Sequence, residues 1–304
     1  MTVDEIEAFV GIAQWGGFTE ASRRLNRSQP AISRRIRELE RSLGAELFER
    51  AGRRVVLTDA GRALLPYAEA TLATIRDGER AVREAAKAPG GPQALTLAIV
   101  GTLADSHIVD ALRTFEAEFP EAAVELRTAT SREVSALVRS GEASLGLRYF
   151  PDADPRLESI PLGTEKLLVV VPASHPVTAR RLPDLRALQG ERWLGFPPAR
   201  GQADSFGHLL ERHLPAHGLV NPSITRIDSL TAQRRLVEAG LGVALMPTSS
   251  VREELRIGSL RAIEIENMDA GLPVVVVRRR RGHQGRLATA FVELLKERTP
   301  GLLR

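Results

Sequence analysis

The sequence predicts an α + α/β chain. A helical N-terminal segment carries one short β-hairpin and is followed by a larger region of alternating strands and helices. Three observations support this. Apolar residues recur at helical spacing between capping residues over the first sixty positions. One long helical pattern then runs from Thr58 to about Lys87 and ends in Ala88-Pro89-Gly90-Gly91-Pro92, a break in composition that suits a hinge. Beyond it, short apolar runs alternate with helical stretches, as in α/β sheets.

Composition sets the outer limits. With 304 residues, 43% hydrophobic and 26% charged, the chain is long enough for two or three cores. Net charge is only +4, but the basic residues cluster: Arg23 to Arg62 holds eleven arginines against Glu38, Glu40, Glu46, Glu49 and Asp59. Cysteine is absent, which excludes disulfides, thiol catalysis and cysteine-ligated zinc and suits a reducing compartment. The acidic, amphipathic start MTVDEIEAF is not a signal peptide, and no apolar run approaches the ~20 residues of a membrane span. The expectation is a soluble, cytoplasmic protein with no membrane association.

In the first ninety residues, Thr2 and Glu5 form a T-x-x-E capping box ahead of a helix with Ile6, Phe9, Val10 and Ala13 on one face, closed by Gly16-Gly17. Thr19 is expected to cap a short second helix carrying Ala21 and Leu25, and Asn26-Arg27 a tight turn. The third helix begins at Ser28, a good N-cap, with Pro30 in the first turn, where no backbone N–H is required. Ile32, Ile36, Leu39 and Leu43 form its apolar stripe. Gln29, Ser33, Arg34 and Arg37 fall on the other side, with donors suited to phosphates and base edges. Two helices, a short turn and a polar-faced helix describe a helix-turn-helix. Leu47-Phe48 and Val55-Val56-Leu57 read as two strands joined through Ala51 to Arg54. This is a wing with Arg53 and Arg54 at its tip, suited to a narrow minor groove.

Thr58 caps the long helix. Leu65, Ala68, Leu72, Ile75 and Val82 follow coiled-coil spacing, interrupted at Glu79, and are the expected dimerisation seam; Pro66 is expected to kink it.

The stretch Phe9 to Ala68 closely resembles the N-terminal domain of LysR-type transcriptional regulators. F-T-x-A-S-x-x-L, S-Q-P-A-I-S, I-R-x-L-E, L-G-x-x-L-F-E-R and L-T-x-A-G occur in order at the family's spacing. The resemblance implies that Ser28, Gln29, Pro30, Ser33, Arg34 and Arg37 sit in or beside the major groove of double-stranded DNA, with Arg53 as the wing arginine. Arg27 departs from the small or apolar residue common there and adds a phosphate contact.

The resemblance continues, more scattered, through F-x-x-x-F-P at Phe115, S-x-E-V-x-x-L-V-R-S-G-E at Ser131, L-L-V-V-V-P-A-S-H-P at Leu167 and V-E-A-G-L-G-V-A-L-M-P at Val237. It implies a two-lobed, periplasmic-binding-protein-like domain holding a small effector between its lobes. The expected organisation is a winged helix-turn-helix over 1–58, a dimerisation helix over 59–88, a hinge over 89–92 and an effector domain over 93–304. Lobe I takes 93–161 and 268–304, and lobe II takes 162–267. Strand ends facing the cleft nominate Thr102, Thr128, Ser131, Arg148, Phe196, Arg200 and Ser229 for effector binding. Ser131 alternatively only caps its helix, and Arg148 alternatively pairs with Asp152 or Asp154. Two cleft arginines favour a carboxylate or other anion. The resemblance further implies a homodimer, commonly a tetramer, with RNA polymerase as a further candidate partner.

Catalysis finds little support. There is no P-loop and no H-E-x-x-H, and Gly240-Leu241-Gly242 precedes a strand instead of following one. His213 and His217 are four apart with Pro215 between them, and the six histidines form no convincing ligand set, so no metal and no cofactor is expected. A secreted solute-binding protein lacks the DNA module. Arg278 to Arg281 follows V-V-V-V and reads as a strand end reaching solvent.

Overall fold

The computed structural model describes residues 1–52, 54–86, 93–103, 106–198 and 206–302. Arg53, the 89–92 hinge and Arg200 lie outside the described residues, as does the side chain of Arg54.

Helix α1 (Val3–Trp15) is capped by the Thr2/Glu5 box and closed by Gly16 in the left-handed region at φ 78°. Helix α2 (Phe18–Arg24) starts two residues earlier than expected. Its N-cap is Gly17, with no side-chain bond, and the Thr19 carbonyl instead accepts from the Ser22 hydroxyl at 2.8 Å. Asn26 turns the chain at φ 51°, a conformation its short polar side chain tolerates. Helix α3 (Gln29–Leu43) follows, with the Ala31 N–H donating to Ser28 Oγ at 3.3 Å. The antiparallel pair β1 (Phe48–Ala51) and β2 (Arg54–Leu57) forms the wing. These elements enclose one core, in which Ile32, Ile36 and Leu39 from α3 meet Ile6, Phe9 and Ile12 from α1. Leu43, expected on the same stripe, is exposed at the helix end.

Helix α4 (Asp59–Ala86) runs unbroken through Pro66 and has three faces. One packs into the N-terminal core with Ala68 and Leu72. A second, carrying Glu69, Ala73, Arg76, Asp77 and Arg80, meets the α/β region. The third, with Ala63, Tyr67, Ala70, Thr74 and Val82, is exposed. The expected seam is therefore misplaced at Ala68 and Leu72: each is only 3% exposed, because the chain's own α1 already covers that face. Leu65 also packs against this core, and Ile75 is half-buried. Val82 is open to solvent.

The α/β region opens with β3 (Gln93–Val100), α5 (Ser106–Glu118), β4 (Ala122–Ala129), α6 (Ser131–Arg139) and β5 (Leu145–Tyr149). The long strand β6 (Leu157–Pro172) crosses into a second half built from β7 (Arg181–Leu182), β8 (Arg192–Gly195), α7 (Leu209–Ala216), β9 (Ser223–Arg226), α8 (Leu230–Glu238), β10 (Val243–Pro247), α9 (Thr248–Ile257) and β11 (Leu260–Ile265). Strand β12 (Gly271–Arg279) returns to the first half, and α10 (Arg286–Leu302) closes it. The strands form one continuous mixed sheet in the order β4-β3-β5-β12-β6-β10-β8-β9, rather than two parallel sheets. The two crossover strands pair antiparallel and join the halves, with a register shift between Val274 and Val275. Away from the crossover strands the pairs are parallel, as at β3/β4 and β8/β9, while β12 pairs antiparallel with β5, and β6 with β10 and β11. Arg278 and Arg279 do not reach solvent freely: Arg278 pairs with Glu158, and Arg279 with Asp77 of α4.

Candidate nucleic-acid interface and effector cleft

Helix α3 is positioned by its apolar stripe, which fixes the rotation that presents its other side. Arg27, Ser28, Gln29, Pro30, Arg34 and Arg37 are exposed together, and Ser33 is half-buried beside them. Arg34 is 76% exposed, and its Nε donates to Glu38 Oε1 at 2.8 Å one turn away, a weak solvent-facing pair that an incoming phosphate or guanine can displace. Arg35 lies outside this surface, half-buried and held by Asp4 at 2.6 Å. At the end of α2, Arg23 and Arg24 both donate to Glu20 and pull its carboxyl down to about 2.

A cleft of about 890 Å³ lies between the two halves of the sheet. Of the sequence-nominated residues it brings together Thr102, Thr128 and Phe196. Ser131 and Ser229 are helix-start residues outside the lining. Thr130, not Ser131, caps α6, through a reciprocal box with Glu133. Ser229 caps α8 by accepting from the Ala232 N–H at 3.3 Å. Arg148 is 5% exposed in β5, where it pairs with Asp152 and donates to Ser135 Oγ at 2.7 Å. The alternative ion-pair reading of Arg148 therefore describes its place, because its position in the strand turns it toward α6. Burial lowers its pKa from the usual guanidinium value, while Asp152 acts in the opposite sense.

The rest of the lining was not nominated from sequence: Thr130, Glu133, Asp228, Thr231, Arg234, Ser249 and Arg252 among others. The rule that ligands gather beyond strand ends, applied to G-V-A-L-M-P, points to the T-S-S that opens α9. Arg234 Nε lies 3.1 Å from Glu254 Oε1 but is not aligned to donate, and Thr102 Oγ1 is buried without a hydrogen-bond partner among the described residues. Such groups carry a cost that a ligand's polar atoms relieve. Phe196 stacks edge-on against Phe206 at 5.1 Å, and Phe206 against Tyr149 of the other half at 5.2 Å, an aromatic bridge between the halves that begins at the cleft lining. Among the described residues, no group of three His, Asp or Glu side chains is placed to hold a metal, and no helix is long and apolar enough to cross a membrane.

Residues 3–62 match the model of the bacterial regulatory helix-turn-helix protein, lysR family, and residues 90–300 match that of the LysR substrate binding domain. The chain belongs to the LysR family. It is a LysR-type DNA-binding transcriptional regulator with an effector-binding domain. Similar curated proteins include the HTH-type transcriptional regulator CbbR of Rhodospirillum rubrum, 27% identical over 96% of this chain and 95% of that protein. A probable RuBisCO transcriptional regulator of Trichormus variabilis is 28% identical over 88% and 79% of the respective lengths. Among solved structures, full-length CbnR complexed with its target DNA has a TM-score of 0.60 at 27% identity, covering 98% of this chain and 100% of that one. Free CbnR gives 0.64 at 26%, covering 98% and 99%.

Proposed function

We propose that this LysR-family chain acts as a homodimer that places two α3 helices in successive major grooves of a partly palindromic site. The carrying observation is the single exposed surface on which Arg27, Gln29, Pro30, Arg34 and Arg37 stand together, above a buried apolar stripe. Gln29 and Arg34 read base edges, Arg27 and Arg37 hold phosphates, and Arg53 and Arg54 serve the wing. The dimer seam uses the exposed face of α4, with Tyr67, Ala70, Thr74 and Val82 as its contacts. Pairing of two dimers through the effector domains gives a tetramer, and contact with RNA polymerase follows at promoters.

The effector is a small molecule bearing a carboxylate or another anionic group. Arg234 and Arg252 replace Arg148 as the cleft cations, and Thr102, Thr128, Thr130 and Ser249 supply hydroxyls around them. An effector alters the DNA complex only by binding two lobe arrangements with different affinity. A melting-shift screen of the full-length protein against small carboxylates and small amines tests this. Carboxylates should raise Tm in wild type but not in Arg234→Ala, and stabilisation by amines alone rejects the anionic reading.

The regulatory reading is tested by capture of genomic fragments with purified wild type and Arg34→Ala. One short, partly palindromic site should be enriched by wild type and lost in the variant. Uniform, salt-sensitive binding to all fragments, with and without metabolite extract, would reject it. The same capture shows whether DNA beside RuBisCO genes is among the sites, since several relatives are named as probable RuBisCO transcriptional regulators.

A further inference from the structure

Helix α6 touches both functional regions. Its N-cap Thr130 and first-turn Glu133 line the effector cleft. Glu133 also lines a second, open cavity of about 860 Å³, bordered by α1, α2, α4 and the first half of the sheet. Nine residues after Thr130, roughly 13 Å away along the helix, the end of α6 and the turn after it are fixed to α4 by three bonds. Arg139 Nε meets Glu69 Oε2 at 3.1 Å, Arg76 donates to the Ser140 carbonyl at 2.7 Å, and Arg80 donates to the Gly141 carbonyl at 2.8 Å.

This junction has little slack. Glu69 is 1% exposed and lies between Arg139 and Arg156, the latter at 3.0 Å. A buried carboxylate that loses either arginine keeps only part of its compensation, which disfavours a change of register. Gly141 sits at φ 77°, and a Cβ there would come within 3.0 Å of Ala73 Cα, so the turn and the helix backbone nearly touch. Between its ends, α6 packs Val134 and Val138 on Ala98, Val275 and Val277, and two bonds hold it to the sheet, Arg148 to Ser135 Oγ at 2.7 Å and Arg279 to the Val138 carbonyl at 2.8 Å, so helix and sheet move as one piece. Gln14 of α1 also reaches the Ala136 carbonyl, at 3.5 Å.

Helix α8 on the opposite wall is a natural comparison. It too is capped by a hydroxyl, Ser229, and lines the cleft through Thr231 and Arg234. Among the described residues, none of its hydrogen bonds or ion pairs reaches α4.

We propose that α6 is the rod that carries the state of the effector cleft to the DNA-reading module, with Glu69, Arg139 and Arg156 as the coupling that bolts it to α4. This rests on the regulatory reading above and assigns its transmission to named residues.

The test is hydrogen exchange of the full-length protein, read by peptide mass. Thr130→Ala removes the α6 cap and should raise exchange in α6 about fivefold. It should raise exchange in the same direction at α4 residues 69–80. Ser229→Ala should loosen α8 by a similar factor and leave α4 unchanged. Glu133→Ala, which breaks the other half of the Thr130 box, should repeat the Thr130→Ala result. In a Glu69→Gln background the α4 response to Thr130→Ala should vanish, because the coupling is already cut. An α4 that ignores both α6 variants while α6 itself loosens would overturn the rod. So would an α4 that responds equally to Ser229→Ala. The measurement needs neither DNA nor effector, so its failure stands apart from failure of the regulatory reading, which the fragment capture decides.

Discussion

The hydroxyl of Tyr149 donates to Glu165 Oε2 at 2.8 Å, and this bond joins the first half of the sheet to the crossover strand. The other carboxylate oxygen, Oε1, accepts from the backbone N–H of Ser249 at 3.0 Å and from its hydroxyl, at the start of α9 in the second half. Glu165 is 3% exposed, so one buried carboxylate ties both lobes together. Ser249 is itself a lining residue.

Tyr149→Phe keeps the ring and its edge-on packing against Phe206 but removes the donor. A hydrogen bond to a charged group contributes about 1.5–3 kcal/mol, and the expected loss lies in that range. Urea unfolding of the α/β region measures it. An unchanged midpoint would mean that Glu165 does not depend on this donor.

The α4 faces separate two variants that look equivalent in sequence. Leu72→Glu places a carboxylate among Ile6, Phe9 and Ala68 and should destabilise the N-terminal core by on the order of 4 kcal/mol or more. Tyr67→Glu changes a side chain that is 74% exposed, so stability should move by less than about 0.5 kcal/mol while the dimer dissociates. Thermal melts and sedimentation of both variants test this together. A dimeric Tyr67→Glu would place the seam elsewhere.

What the sequence disclosed, and what it hid, follows from the range of the interactions. Caps and stripes are local, so Thr2, Ser28 and Thr58 announce their helices and Ile32, Ile36 and Leu39 announce the buried side of α3. The seam was misread because 3,4 spacing marks an apolar face without saying what covers it. Here the cover for Ala68 and Leu72 is α1 of the same chain. The cleft was half legible. Thr102 and Phe196 follow strands, and Thr128 is the last but one residue of β4, and these strand ends are easy to find. Arg234 and Arg252 belong to helices that enter the cleft only through the crossover topology, which pairs β6 with both β12 and β10. Arg148 ends an apolar run like the others, and only the register of β5 shows that it turns toward Ser135.

Gly61 gives the L-T-x-A-G stretch a physical reason. Thr58 Oγ1 donates to the Glu46 carbonyl at 2.7 Å and accepts from the Gly61 N–H at 3.0 Å, which draws α4 against the strand entry. A Cβ at Gly61 would sit 2.2 Å from the Leu47 carbonyl oxygen. Gly61→Ala should therefore cost about 1–3 kcal/mol despite alanine's better helix propensity. A variant as stable as wild type would show that α4 shifts freely there.

His213 makes stability depend on mild acid. Burial, then the neighbouring His217 and Arg212, lowers its pKa from the ordinary 6.5, and Asp269 opposes this. The folded chain thus binds a proton less readily than the unfolded one. Stability is complete above the ordinary histidine value and falls as pH drops from there toward the lowered folded value. Urea midpoints at about pH 7.5 and about pH 5.5 should differ more for wild type than for His213→Gln. Equal differences would remove His213 as the source.

Arg34 distinguishes reading from grip. Its guanidinium is solvent-facing and shared with Glu38, so it is available to DNA at the cost of a pair that contributes little on its own. If it forks onto a base edge, Arg34→Ala should weaken the captured site by about 1–3 kcal/mol and leave unrelated DNA unaffected. The slope of log affinity against log salt should then stay near its wild-type value, because no phosphate contact is lost. Arg27→Ala should do the opposite, lowering affinity on every sequence and reducing the slope by about 1. Binding isotherms at several salt concentrations, on the captured site and on a scrambled duplex, measure both effects. Matching slopes and matching losses for the two variants would assign both arginines to the backbone and leave base reading to Gln29 and its neighbours.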